Sequence, residues 1–231
     1  MERFEFDPSL LEYEDFIKYF FTAPVDAFWD VDPEGVRFVM PVVVRPDVVV
    51  RHLTRLCDEF SEIARTIALE SLDHAIDGML SEANFSLQSA LWNNTVDLGE
   101  RIRCIRSMYG VFANFVAESK AEVLPGCFFM WWDHICSSFW FEQTYKRKLP
   151  AKDYTRLGDQ DRALVDAMFE TLARTLKVDD DRTRSCALHG LGHLHHPTVR
   201  ETVQRYIDDN RAASTSEGLR WLEECRDGTV M

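Results

Sequence analysis

Four of the seven histidines fall between positions 189 and 196, in the stretch RSCALHGLGHLHHPTVRETVQRYI that runs from Arg184 to Ile207. Residues four apart on an α-helix stand one above the other, so His189 and His193 share a face. Two imidazoles in that register suit a divalent metal. Cys186, three residues before His189, lies on the same stripe. Cys186, His189 and His193 are therefore the candidate ligand set for zinc or another divalent transition metal, with thiolate and neutral imidazole as the ligating species. The zinc-protease signature HExxH needs a glutamate after its first histidine, and Gly190 stands there instead. The competing reading is structural: the histidines cover one edge of a helix and meet a neighbouring helix or water.

A second constellation lies in CFFMWWDHICSSFWF, where Asp133 and His134 interrupt a run of apolar residues. Neighbouring helical residues point about 100° apart, so the two cannot pair with each other. If buried, each needs its own polar partner. Ser137 lies four residues after Asp133, and Ser138 four after His134. An ionisable group in a dry core sometimes marks a functional site. Trp131 and Trp132 are also adjacent and cannot both face the same way. Most of the aromatic side chains belong to a core, but such rings also suit a groove or interface. The candidate binding residues are Trp131, Trp132, Asp133, His134, His195 and His196. No catalytic residue is assigned, since GxGxxG, GxxxxGK[ST] and GxSxG are all missing.

The elements that must position these residues read as helices. Asp7-Pro8 starts a helix carrying Leu10, Tyr13, Ile17, Phe20 and Phe21, which Pro24 ends. An extended loop follows to about Arg45, with a short strand conceivable in the β-branched run Val36 to Val44, although Pro41 argues against one. From Asp47, Val49, Leu53, Leu56, Phe60, Ile63 and Ile67 keep one apolar face. The pattern continues through Leu72, Ile76, Met79 and Leu80 after a break near Ser71. Asp97 has capping-box spacing to Glu100 and opens the helix with Ile102, Ile105, Met108, Phe112 and Val116. Pro125 to Glu142 is apolar nearly all round, which places it at the centre of a bundle. A loop with Lys146, Arg147, Lys148 and Lys152 precedes a helix over Asp159 to Leu176, and a last short helix spans about Ser216 to Cys225.

The segment around 181–209 resembles a HEAT-like repeat of the phycobilisome-lyase type. Leu191, Gly192 and Leu194 match the end of its first helix, Pro197 the proline of the turn, and Val199, Val203 and Ile207 the core face of the second helix. His195 stands where the pattern prefers glycine, and His196 where it prefers a capping aspartate. Ala187, Gly190 and Gly192 permit close helix approach. Glycine costs about 1 kcal/mol in a helix relative to alanine, so the two glycines need a packing reason. The resemblance implies a helical scaffold that presents helix faces to a protein partner.

Composition bounds the rest. The 231 residues are 46% hydrophobic, enough for one all-α domain over 1–231, a multi-helix bundle or α-solenoid ending in the HEAT-like pair. Net charge is -13, which disfavours nucleic acid and anionic membranes and suits a basic protein partner. The six cysteines include no CxxC pair and read as reduced thiols of a cytoplasmic protein. The N-terminus lacks the basic and apolar regions of a secretory signal, and Leu124 to Phe141 reads as a buried helix, not a membrane span. The expectation is a non-enzymatic interaction protein, such as an acidic bacterial inhibitor or immunity-type protein. The alternative is a metal-dependent, hydrolase-like enzyme on the Cys186/His189/His193 face.

Overall fold

The computed structural model describes residues 7–22, 29–32, 35–38, 44–80, 87–121 and 125–230. Among them are nine α-helices and one two-stranded antiparallel sheet. Asp7-Pro8 opens a 3₁₀ turn, Pro8–Leu10, and not the helix itself. Asp7 Oδ1 caps that turn by accepting from Ser9 N at 2.9 Å. Helix α1, Tyr13–Thr22, starts only after it. Pro24 and Pro41 lie outside the described residues. In place of an extended loop, β1 (Trp29–Asp32) pairs antiparallel with β2 (Gly35–Phe38), Trp29 opposite Phe38 and Asp32 opposite Gly35.

Helix α2, Pro46–Ala64, has its proline at the first turn, where the missing N–H has no partner to lose. The break expected near Ser71 comes earlier, and α3 runs Leu69–Leu80. Helix α4, Leu98–Gly110, is capped as its sequence predicts, with Asp97 Oδ1 accepting from Glu100 N at 3.1 Å. It continues as a π-helical stretch over Val111–Val116. Helix α5, Gly126–Phe141, also ends in a π-helical stretch, Glu142–Lys146. Helices α6 (Asp159–Thr175), α7 (Asp181–Leu194), α8 (Val199–Asn210) and α9 (Ser216–Asp227) complete the chain.

The fold is a multi-helix bundle in which α5 is buried over most of its surface. Cys127, Phe128, Trp131, Trp132, Ile135, Cys136, Phe139 and Trp140 lie in the core, while the stripe of Gly126, Met130, Asp133, Ser137 and Phe141 is partly or fully exposed. Helix α7 is its most extensive neighbour, with α3 and the 3₁₀ turn Leu87–Trp92 on other sides. A second layer pairs α2 with α4 and α4 with α6. One continuous core reaches from Tyr13 to Val230.

The two helix glycines have the packing reason the sequence demands. A Cβ at Gly190 would stand 2.4 Å from Trp132 Cβ and 2.9 Å from Leu172 Cδ2. One at Gly192 would stand 2.5 Å from Val230 Cγ1 and 3.1 Å from Cys225 Cα. Gly190 thus lets α7 approach α5 and α6, and Gly192 lets it approach α9. No helix among the described residues is long and apolar enough to cross a membrane. All six cysteines are unpaired and buried.

Candidate functional site

The close approach of α5 and α7 sets a line of polar side chains between them. Ser137 Oγ donates to Asp133 Oδ1 at 2.8 Å, one turn apart on α5. The same carboxylate oxygen lies 3.3 Å from His193 Nδ1 on α7. His193 Nε2 faces His189 Nε2 at 3.3 Å, and His189 Nδ1 reaches the Phe129 carbonyl oxygen, also at 3.3 Å. The Phe129 ring stacks on His189 with centroids 4.2 Å apart. His189 is fully buried, whereas the His193 side chain keeps 17% of its surface exposed, so one end of the line is wet. Burial pushes the His193 imidazole below its ordinary pKa despite the opposing pull of Asp133, and the Lys152 ammonium acts with the burial.

The order of these groups decides what they can do. In a nucleophilic triad the imidazole stands between hydroxyl and carboxylate and removes the hydroxyl proton. Here the carboxylate stands between Ser137 and His193. Ser137 therefore donates to an anion and has no imidazole base, so the arrangement does not activate it for acyl transfer.

The α7–α8 turn places the other two histidines. His195 occupies the left-handed region at φ 55°, ψ 32°, closing α7. That conformation is the physical reason a glycine is preferred at this position. Its ring meets Trp140 edge-on at 5.9 Å, and burial, with Lys152 and His193 adding to it, lowers its pKa to about 4. Trp140 Nε1 in turn donates to the Leu194 carbonyl at 3.1 Å, tying the end of α7 to α5. His196 does the work of the expected aspartate: its Nδ1 accepts from Thr198 N at 3.1 Å. Its Nε2 lies 3.2 Å from Asp166 Oδ1 on α6, which also accepts from the Tyr154 hydroxyl at 2.8 Å. These two contacts fix a neutral ring protonated on Nε2. Burial lowers the His196 pKa, which favours that same neutral form, against the attraction of Asp166. The ring stacks on Phe169 at 4.3 Å. Pro197 precedes α8 by two residues and so does not open it. It sits in a turn in which Val199 N donates to the His196 carbonyl at 3.1 Å.

The other sequence candidates are dispersed. Trp131 and Trp132 are both 0% exposed and line no open groove: Phe60, Met108 and Phe112 lie against Trp131, and Phe112 and α7 at Gly190 lie against Trp132. Trp131 Nε1 donates to Met108 Sδ at 3.5 Å, while Trp132 stacks with Phe112 at 6.3 Å. His134 pairs outward with Asp77 on α3 at 3.6 Å, away from the α5–α7 line. Among the described residues no three His, Cys, Asp or Glu side chains converge as a metal-ligand group. Cys186 therefore does not join His189 and His193 in a triad, and burial pushes its thiol up to about 12. The basic loop is divided in role. Arg147 Nη1 lies 2.9 Å from each Asp161 carboxylate oxygen and is structural, while Lys152 acts on the histidines.

The Asp133–Ser137 contact was signalled by its four-residue spacing. Asp166, Tyr154, Phe169 and Phe129 carried no such signal, since each meets its histidine across a helix interface. Comparison of the chain with protein-family models, with curated proteins and with solved structures finds no match.

Proposed function

We propose that this protein is a non-enzymatic helical scaffold whose acidic surface binds a basic protein partner, in the manner of an acidic inhibitor or immunity-type protein. The observation that carries the reading is the excess of 39 acidic over 26 basic residues, a net charge of -13. A hydrogen bond from Thr155 holds the Asp153 carboxyl below its usual range, and one from Arg226 does the same for Asp227. Exposed carboxylates such as Glu14, Glu118 and Asp179 stand at the surface with side-chain exposures of 76%, 61% and 104%. Such a field steers oppositely charged partners and raises their association rate. Helix α8, the second helix of the pair that resembles a HEAT-like repeat, buries only Val199, Val203 and Ile207 and so leaves an outward face of the kind that scaffolds use.

The test is capture of partners by the full chain at about 0.1 M and about 1 M salt, where the screening length falls from about 10 Å to about 3 Å. A basic protein retained at the lower salt and released at the higher supports the reading. A partner held equally at both, or none at either, rejects it.

A further inference from the structure

Four large hydrophobic side chains are exposed among the described residues, and they fall into two pairs. Phe141 (42%) and Tyr145 (64%) stand where α5 runs out into its π-helical stretch, with ring centroids 4.8 Å apart. Leu10 (73%) and Val44 (67%) stand where α2 begins. Asp7 holds this second pair together: its carbonyl oxygen accepts from Leu10 N at 3.2 Å and its carboxylate from Val44 N at 3.3 Å. The surroundings of the two pairs differ in sign. Residues 145–152, beside the aromatic pair, carry four basic groups and no acidic one. Residues 7–15, beside the aliphatic pair, carry four acidic groups and no basic one. Lys146 is paired with Glu142 at 2.8 Å and Arg147 with Asp161 at 2.9 Å, whereas Lys148 and Lys152 make no ion pair among the described residues. Lys148 also holds a left-handed backbone at φ 62°, a conformation that glycine adopts more easily.

Both pairs lie at one end of the bundle. Arg51 Nη1 lies 3.9 Å from Glu100 Oε2 and joins the starts of α2 and α4. Arg101 Nη2 donates to Gln160 Oε1 at 2.6 Å and joins the starts of α4 and α6. Asp161 and Arg147 then join the start of α6 to the end of α5. We propose that this end is a self-association face. The Phe141–Tyr145 pair, with Lys148 and Lys152, docks on the Leu10–Val44 pair, with Glu12, of a second copy, and the second copy returns the contact about a two-fold axis. Charge complementarity selects the occupant. Each copy supplies both the basic and the acidic surroundings, while the net charge of -13 makes other faces of two copies repel. Area selects the two-fold arrangement. A standard interface takes about 800 Å² from each partner, and one aromatic side chain supplies about 150–250 Å². One pair is therefore too small alone, and a reciprocal contact uses both pairs of each copy. This face is separate from the basic-partner reading and does not depend on it.

Sedimentation equilibrium of the full chain at up to about 1 mM, the Kd scale of weak association, tests the face. The expected result is a dimer that weakens as salt rises from about 0.1 M to about 1 M. Leu10→Ser and Tyr145→Ser should each weaken it by about tenfold or more. These side chains are exposed, so both variants should keep the native circular dichroism. Lys148→Glu and Glu12→Lys should each be monomeric alone, because each sets like charges opposite one another. Mixed in equal amounts they should form a mixed dimer, in which both contacts again join opposite charges. If Lys148→Glu alters the circular dichroism, Lys152→Glu serves in its place. A native chain that stays monomeric throughout overturns the proposal. So does a dimer that survives both apolar variants, or a mixture of the two charge variants that stays monomeric. Assemblies that grow beyond the dimer overturn the two-fold arrangement.

Discussion

His196 joins three elements through one ring: it caps the turn into α8 through Thr198 N, meets Asp166 on α6, and stacks on Phe169. His196→Ala removes a cap and an aromatic contact together, so stability should fall by about 1–2 kcal/mol, readable from denaturant midpoints. His196→Asn should recover part of that, because an amide oxygen can still accept from Thr198 N. Acid should mimic the loss. The ordinary imidazole pKa is 6.5, and burial sets the folded value lower, so the unfolded chain takes up the proton first. The contribution is complete above about pH 6.5 and declines as pH falls toward the folded pKa. Protonation also destroys the Nδ1 lone pair that accepts from Thr198, while Asp166 and Tyr154, the groups facing the ring, only soften the effect. Unfolding midpoints measured from about pH 7 to about pH 5 should therefore drop less steeply in His196→Asn than in the native chain. Equal slopes would remove His196 from the account. The sequence shows that histidine replaces an aspartate here, and capping chemistry explains why such a turn needs an acceptor. It does not show that an imidazole can be that acceptor, because this depends on a tautomer selected by Asp166, thirty residues away.

Helix α7 is defined by what its small residues let in. At Gly190 the obstacle to a side chain is Trp132 Cβ, a carbon attached directly to the α5 backbone, which cannot swing aside. Gly190→Ala should therefore cost about 1–3 kcal/mol, although alanine is the better helix former. Gly192→Val should cost more than about 1 kcal/mol by the same overpacking against Val230 and Cys225. Gly126→Ala is the control: nothing lies within 4 Å of its added carbon, and stability should hold or rise. If all three variants melt alike, close approach is not what these glycines provide. Their purpose was readable in the sequence, since two helix-breaking residues in one helix demand a reason. Their partners were not, because Trp132 and Val230 are distant in the chain. The same limit applies to the aromatic helix. Its apolarity places most of α5 in the core, although the stripe of Gly126, Met130, Asp133, Ser137 and Phe141 stays partly or fully exposed, and adjacent tryptophans pointing different ways are compatible with a groove until the covering residues are known. Trp92, Trp131, Trp132 and Trp140 are each at most 2% exposed. Acrylamide should quench only a minor part of the native tryptophan emission, and strong quenching of most of it would put α5 at the surface.

For the molecule as a whole, the open alternatives were a bundle and a solenoid, and they differ in how stability is shared. In a solenoid each repeat leans only on its neighbours, so an end pair can melt alone. Likeness to a repeat at 181–209 suggests such an end, and composition cannot exclude it, because both architectures contain the same amphipathic helices. The difference lies in which faces meet. Helix α7 buries Ala187, Leu188, Gly190, Leu191, Gly192 and Leu194, residues that cover more than one face, and it packs chiefly on α5 and α6 as well as on α9. Helix α8 buries only Val199, Val203 and Ile207 and lies mainly against α9. The C-terminal pair is joined to the rest of the bundle: its first helix forms one wall of the core, and the turn into its second is tied back to α6 through His196. Removing α7 would uncover Trp132 and Trp140, so the pair cannot unfold without exposing those tryptophans. Urea unfolding followed by tryptophan emission, which reports on α5, should coincide with unfolding followed by far-ultraviolet circular dichroism, which reports on all the helices. Two separated transitions, with helicity lost before the tryptophans become exposed, would mean that the C-terminal helices melt as an independent unit and that the α5–α7 contact contributes less than its burial implies.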